Sequence, residues 1–468
     1  NTGTSNLTDI TVEKGSSIDE MTAQLPKNVD LTYSDGSTGS LPISSWNTEG
    51  IDLTKVGDYT VTGTVKQTEY QIPFAEDRAD PSVYKWQWTH EADGKEVTET
   101  KFLMIASNDI QGDVTWQHGS PHMPFRMADT ISGLADEPGN PNALIQSNGY
   151  NNKEVSLLKA GDKDSEGNAI MHSFWAPEIH EIDGRLTILF MAGYGNTWSN
   201  GKSVYMQLKQ DADGHDLDPA DPDNWTVPTP IYRNDASLLN GNKQLAATAS
   251  GGVGMSLDMT YFQDADGRSY YAWQQLGATY IATMDPKDPA HVTSSPVRIV
   301  TPEYAWNAAI AEGPNVTLRD GKLYLMFSGS GVGKTYTTGL AVADASGTDL
   351  TDPASWTVLN YPIQKSGPFN GEMQLGTGHG MWSEDEDGNQ IYVFHAYATK
   401  NLGSVNAAGR DMFVRRVHWA ADGIAVVDRE RQVGERLEAV EADRHPLEVE
   451  DDPVRDVDLA FAHRMAVA

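Results

Sequence analysis

The chain has 468 residues, room for roughly two to four domains, and its 39% hydrophobic content with 12 Trp and 18 Tyr excludes a disordered polypeptide. A formal net charge of −32 would repel a phosphate backbone, which excludes nucleic acid as a natural partner and favours a neutral or weakly charged one. No run approaches the roughly 18 apolar residues of a membrane span, and the absence of cysteine excludes disulfides, thiolate metal sites and Cys nucleophiles.

The first residue is Asn1, with no basic or apolar leader after it. That reads as a mature or trimmed chain, and the expected location is secreted or cell-surface, with a signal peptide already removed. Nothing in the sequence indicates an oligomeric state.

Residues 1–68 read as a small β unit. Leu31-Thr32-Tyr33 enters a turn at Ser34-Asp35-Gly36-Ser37, Leu41-Pro42-Ile43 follows, and Val56 to Val65 closes the unit. Tyr59 and Val61 alternate with Thr60 and Thr62, the period of a strand with one buried face. The string VGDYTVTGTV resembles bacterial immunoglobulin-like modules attached to secreted carbohydrate enzymes. That resemblance implies a spacer or surface link with no chemistry of its own.

Residues 69–427 repeat. Asp183-Gly184, Asp266-Gly267, Asp320-Gly321 and Asp387-Gly388 each precede an aromatic-rich apolar run, and Asp93-Gly94 precedes a fifth after a longer hairpin. Asp-Gly supplies the positive φ of tight hairpins. Five hairpin copies of this length suit a five-bladed β-propeller, so the expected fold is all-β, with a propeller after an immunoglobulin-like sandwich.

Eight residues before the last four Asp-Gly pairs stand Trp175, Asp258, Glu312 and His379, and the first copy offers Asp80. Equivalent positions of a radial repeat converge on the axis. Two carboxylates facing each other across a cleft are the minimal equipment of glycoside hydrolysis, one as acid and one as base. A third carboxylate nearby raises the acid's proton affinity. Trp175 offers a flat face for a sugar ring.

The segments ADPSV, SFWAPEIHEIDG, SLDMTYF, AEGPNV and GTGHG resemble, in that order, the blade signatures of glycoside hydrolase family 43. The resemblance implies an inverting mechanism with Asp80 as general base, Glu312 as general acid and Asp258 as the residue that tunes and orients the acid. It implies His379 on the axis, often beside a structural calcium ion, and Arg410 reaching into the site. Glu178, in WAPE where many members read WAPD, tilts the expected substrate towards α-L-arabinofuranosyl branches of plant polysaccharides. A β-xylosidase, a galactanase-type enzyme or a non-catalytic carbohydrate-binding propeller are the alternatives.

Residues 428–468 carry a dense run of charge without Lys and read as a tail of uncertain structure. Ser328 to Thr335 nearly spells a phosphate-binding loop, but a strand rather than a helix follows it, so no phosphate site is expected.

Overall fold

The computed structural model describes residues 3–5, 7, 9–32, 38–65, 70–110, 121–136, 154–195, 200–239, 255–369, 372–397 and 409–427, and the backbone of 460–467. Two compact units result, one built mainly from residues 1–69 and 416–468 and the other from 70–415.

The first unit is a sheet that orders its strands Gly3–Ser5, Asn28–Thr32, Thr38–Asn47, Gly57–Val65, Ala460–Val467 and Ile10–Val12. The α-helix among its described residues, Ile18–Thr22, is short and starts at a capping box between Ser17 and Glu20. Val61 is fully buried with Val12, Met21, Leu25 and Leu53, while Leu31, Leu41, Val29 and Val65 form a second cluster. The turn expected at residues 34–37 lies outside the described residues. In the segment that the sequence left as a tail of uncertain structure, Ala460–Val467 pairs antiparallel with Gly57–Val65 and parallel with Ile10–Val12. Its apolar content between Leu459 and Val467 supports a strand, a signal hidden by the charged run before it.

The second unit is a propeller of five β-sheets. The innermost strands of the blades are Arg78–Ala92, Ile170–Ile182, Leu257–Gln263, Ala311–Arg319 and Glu372–Glu384. In the fifth blade the outer edge is completed from the start of the unit. Phe74 donates its N–H to the carbonyl of Met412, and Met412 donates back to Ala75, so the ring closes through backbone hydrogen bonds.

The second strand of each blade is buried on both faces, which explains its continuous apolar run. In Lys95–Asn108, Leu103 and Ile105 pack towards the second blade against Phe174, Ile179 and Phe190. Phe102 and Met104 point the other way and pack on Ile391, Val393 and Met412 of the fifth blade. Each buried side chain of this size contributes about 1.5–3 kcal/mol. The seams between blades are therefore the core of the unit.

The phosphate-loop look-alike is a strand end, a turn and another strand: Lys322–Gly329 is followed by Thr337–Asp344. There is no helix N-terminus there to hold a phosphate.

Candidate active site

Every innermost strand breaks register against its neighbour, and in each of the five one break falls at the equivalent place. The breaks fall between Ala79 and Ser82, Trp175 and Glu178, Leu257 and Thr260, Glu312 and Asn315, and Gly378 and Met381. The first residue inside each bulge has positive φ: Asp80 (48°), Ala176 (44°), Asp258 (57°), Gly313 (57°) and His379 (46°). Asp80, Asp258 and His379 are therefore true equivalents. Trp175 and Glu312 stand one residue earlier than the strict repeat position.

The offset comes from turn chemistry. Asp183-Gly184 and Asp320-Gly321 are two-residue turns with both φ values positive, closed by Ile182–Arg185 and Arg319–Lys322. At Asp266-Gly267 and Asp387-Gly388 only the glycine has positive φ, and the closing pairs are Gln263–Ser269 and Glu384–Gln390. The wider turns shift the count by one residue.

A bulge takes an N–H out of the sheet ladder and leaves it needing a partner. The preceding blade supplies a side chain in four of the five cases. Ser107 Oγ accepts from Ala176 N at 2.9 Å, Asp258 Oδ2 from Gly313 N at 3.1 Å, Ser328 Oγ from His379 N at 2.6 Å, and His395 Nδ1 from Asp80 N at 3.1 Å. Ser107, Ser328 and His395 occupy equivalent places, opposite Ala79, Glu312 and Gly378. The site is thus held by the same bonds that lock one blade to the next.

Asp80 is 8% exposed. Its Oδ2 accepts from Ser107 Oγ at 2.7 Å, and its Oδ1 accepts from Arg410 Nη1 at 3.2 Å. His395 Nδ1 and His379 Nδ1 stand 3.1 Å and 3.3 Å from the same Oδ1. Burial alone would raise the Asp80 pKa, but Arg410 and then His379 outweigh it and hold the carboxyl well below the ordinary range. Arg410 is itself positioned by Asp109, with Nε and Nη2 forming a fork onto Oδ2 and Oδ1 at 3.0 and 2.9 Å.

Asp258 and Glu312 behave in the opposite way. Both are buried, and burial pushes both pKa values up; His379 opposes the rise, and neighbouring negative charge adds to it. Glu312 Oε1 accepts from the Tyr336 hydroxyl at 2.7 Å. The Tyr336 ring lies parallel to His395, with centroids 5.6 Å apart. A Cβ at Gly378 would come within 2.6 Å of that ring, so only glycine leaves Tyr336 in place.

Trp175 is half-buried and shares the register of Glu312, just before its own bulge. Glu178 sits two residues past the bulge residue and is committed to neighbours: its Oε2 lies 2.8 Å from His180 Nε2 and accepts from Asn315 Nδ2 at 3.2 Å. His379 packs its ring against Gly313, where a Cβ would lie 3.1 Å away. Burial pulls the His379 pKa down, but Asp80, Asp258 and Glu312 together raise it.

The calcium expectation meets a poor donor set. Calcium takes six to eight oxygen ligands, whereas His379 is turned to Asp80 and its proton affinity is raised. Among the described residues no three His, Asp or Glu side chains converge as metal ligands.

Sequence reasoning missed Ser107, Asp109, Tyr336 and His395. Tyr336 follows directly on the phosphate-loop look-alike, and a tyrosine closing a glycine-rich turn was the available signal. The other three carry no local motif.

Five blades around one axis, with one carboxylate held ionised and two held towards protonation, define a propeller of the glycoside-hydrolase type. The profile of glycosyl hydrolases family 43 matches residues 148–425, more than half of the chain, and the chain belongs to that family. The match includes Asp258, Glu312, His379 and Arg410; Asp80 precedes it. A bacterial Ig-like domain (group 4) profile matches residues 6–68.

Among curated relatives, the extracellular exo-alpha-(1->5)-L-arabinofuranosidase of Streptomyces avermitilis is 26% identical over 75% of this chain and 61% of its own length. The enzyme of the same name from Streptomyces chartreusis is 28% identical over 49% of this chain and 64% of its own. Alpha-L-arabinofuranosidase 43 of Humicola insolens is 29% identical over 53% and 48%. The chain thus spans about half to two thirds of the length of these relatives. Among solved structures, the alpha-L-arabinofuranosidase from Lactobacillus brevis superposes with a TM-score of 0.55 at 24% identity, covering 76% of this chain and 95% of that one. A thermostable family-43 glycoside hydrolase gives 0.51 at 18%, covering 77% and 96%. Both likenesses show the fold. Among the described residues no helix is long and apolar enough to cross a membrane.

Proposed function

We propose that this chain is an inverting, exo-acting α-L-arabinofuranosidase that removes arabinofuranosyl branches from plant polysaccharides. One observation carries the reading: Asp80 is held ionised by Arg410, while burial raises Glu312 and Asp258 towards the protonated form. An ionised and a protonated carboxyl at the same pH are what glycoside hydrolysis by a carboxylate pair requires, and the resemblance of the blade signatures supports the inverting form of it.

In this mechanism Asp80 takes a proton from water as the water attacks the anomeric carbon. Glu312 gives its proton to the departing oxygen as the glycosidic bond breaks, and Asp258, which accepts from the N–H of Gly313 next to Glu312, helps to orient the acid. The Tyr336 bond to Oε1 leaves Oε2 as the oxygen that carries the proton. Ser107 and Arg410 hold the Asp80 carboxylate in orientation. Trp175 is assigned to the sugar face, and Glu178 acts through Asn315 and His180. The names of the relatives support arabinofuranose over xylose, and the word extracellular in two of them supports a secreted or surface location.

The test is hydrolysis of aryl α-L-arabinofuranoside, β-xyloside and β-galactoside, with the anomer released by the favoured substrate followed early by NMR. Preference for the arabinofuranoside with inversion supports the reading. Preference for another sugar overturns the substrate, and retention overturns the mechanism.

A further inference from the structure

Outside the carboxylate cluster, one turn combines strain with exposure. Leu276 has φ of 52° and is 78% exposed. A left-handed conformation is unfavourable for a large side chain, and an exposed leucine gains nothing by burial. Gly277 follows with φ of 77°, and a Cβ there would lie 2.8 Å from the carbonyl oxygen of Ala309.

This turn is fastened to the residue beside the acid. Ala311 donates its N–H to the Gly277 carbonyl at 2.9 Å, and Thr279 Oγ1 donates to the Ala311 carbonyl at 3.1 Å. Glu312 is the next residue. On the other side of the same segment, Ser330 N donates to the Ile310 carbonyl at 3.2 Å and begins a second turn. That turn carries Val332, 43% exposed. It is held in shape by Ser366 Oγ donating to Lys334 O at 2.7 Å and by a close approach of Gly376 to Gly333 O. Two rigid turns, each tipped by an exposed apolar side chain, therefore flank the strand that delivers Glu312.

We propose that Leu276 and Val332 form the apolar rim of the leaving-group subsite, where they contact the C–H face of the sugar that departs. The inference rests on the function proposed above, in which the group beside Glu312 is the leaving oxygen. A left-handed leucine in the turn closed by Gln275 and Ala278, fastened to the residue before Glu312, points to a functional contact rather than to packing. The rim selects a carbohydrate leaving group over a small one without touching the sugar that is cleaved off.

The experiment compares an arabino-oligosaccharide with arabinofuranosyl azide, whose leaving group is too small to reach the rim, using Leu276→Asn and Val332→Ser. Asparagine tolerates the left-handed conformation, so the melting temperature of Leu276→Asn should be equal to or above that of the parent chain. The ratio of kcat/KM for oligosaccharide to that for azide should fall about tenfold in each variant, the scale set by losing part of a buried apolar side chain. An unchanged ratio in an active, folded variant overturns the subsite assignment alone. A parent chain that cleaves neither arabinoside overturns the proposed function and the inference with it.

Discussion

Tyr336 donates its hydroxyl hydrogen to Glu312 Oε1 at 2.7 Å while its ring lies parallel to His395, which touches Asp80. One buried tyrosine therefore borders both the proposed acid and the support of the proposed base. Its hydrogen bond favours the ionised form of Glu312 and so moderates a pKa that burial raises.

Removing that bond should move the acid further up. Tyr336→Phe keeps the ring that Gly378 accommodates but loses the donor. The alkaline limb of the pH–kcat/KM profile should shift to higher pH, and kcat on oligosaccharide should fall about tenfold through lost orientation of the acid. Stopped assays across pH 5 to 9 check this. An alkaline limb that stays in place would separate Tyr336 from the acid.

Asp80→Asn should lose about 10²–10⁴-fold in turnover on every substrate, because water activation is needed whatever the leaving group. The substitution keeps the acceptor for Ser107, and Arg410 retains its fork onto Asp109, so the variant should fold. Circular dichroism and kinetics on an aryl glycoside and an oligosaccharide decide it. Parent-like turnover would remove Asp80 from the mechanism.

Glu312→Gln should discriminate by leaving group. A sugar alkoxide needs a proton to depart and a dinitrophenolate does not, so oligosaccharide turnover should fall about 10²–10⁴-fold and the activated aryl glycoside much less. Asp258→Asn should be a weaker version of the same pattern. Equal losses on both substrates for Glu312→Gln would argue against the acid role.

The raised carboxylates also make a stability prediction. In the folded chain Asp258 and Glu312 hold their protons to higher pH than in the unfolded chain. Their favourable contribution is complete below the unfolded pKa near 4 and is lost as pH rises through the folded values. Asp258→Asn cannot ionise, so its melting temperature relative to the parent should climb between pH 4 and pH 8. A difference that is flat with pH would show that Asp258 is already ionised at pH 4.

Chelation tests the axial ion. With His379 turned to Asp80 and no converging set of ligands among the described residues, EDTA should leave melting temperature and activity within error. His379→Ala, in contrast, should lower activity by removing a positive neighbour of Asp80. A fall in melting temperature on chelation, reversed by calcium, would restore the ion to the axis.

Much of this was legible in the chain itself. The Asp-Gly hairpins repeat because each blade turns through a glycine with positive φ, and that local requirement exposes the number of blades. Asp258, Glu312 and His379 follow from counting back along single strands, since a strand has a fixed period and its start and its turn are a few residues apart, and Asp80 follows once the longer first hairpin is allowed for. The count erred by one at Trp175 and Glu312 because two-residue and wider turns are both written Asp-Gly.

What only the tertiary structure decided is the set of partners that gives those residues their chemistry. Asp109 and Arg410, Ser107 and Ala176, Tyr336 and His395, and His395 and Asp80 are each far apart in the sequence and meet because blades pack around an axis. Whether a carboxyl is held ionised or protonated depends on burial and on charges a few ångströms away. Neither is a property of a strand read alone; both arise when five strands bring their bulges to one place.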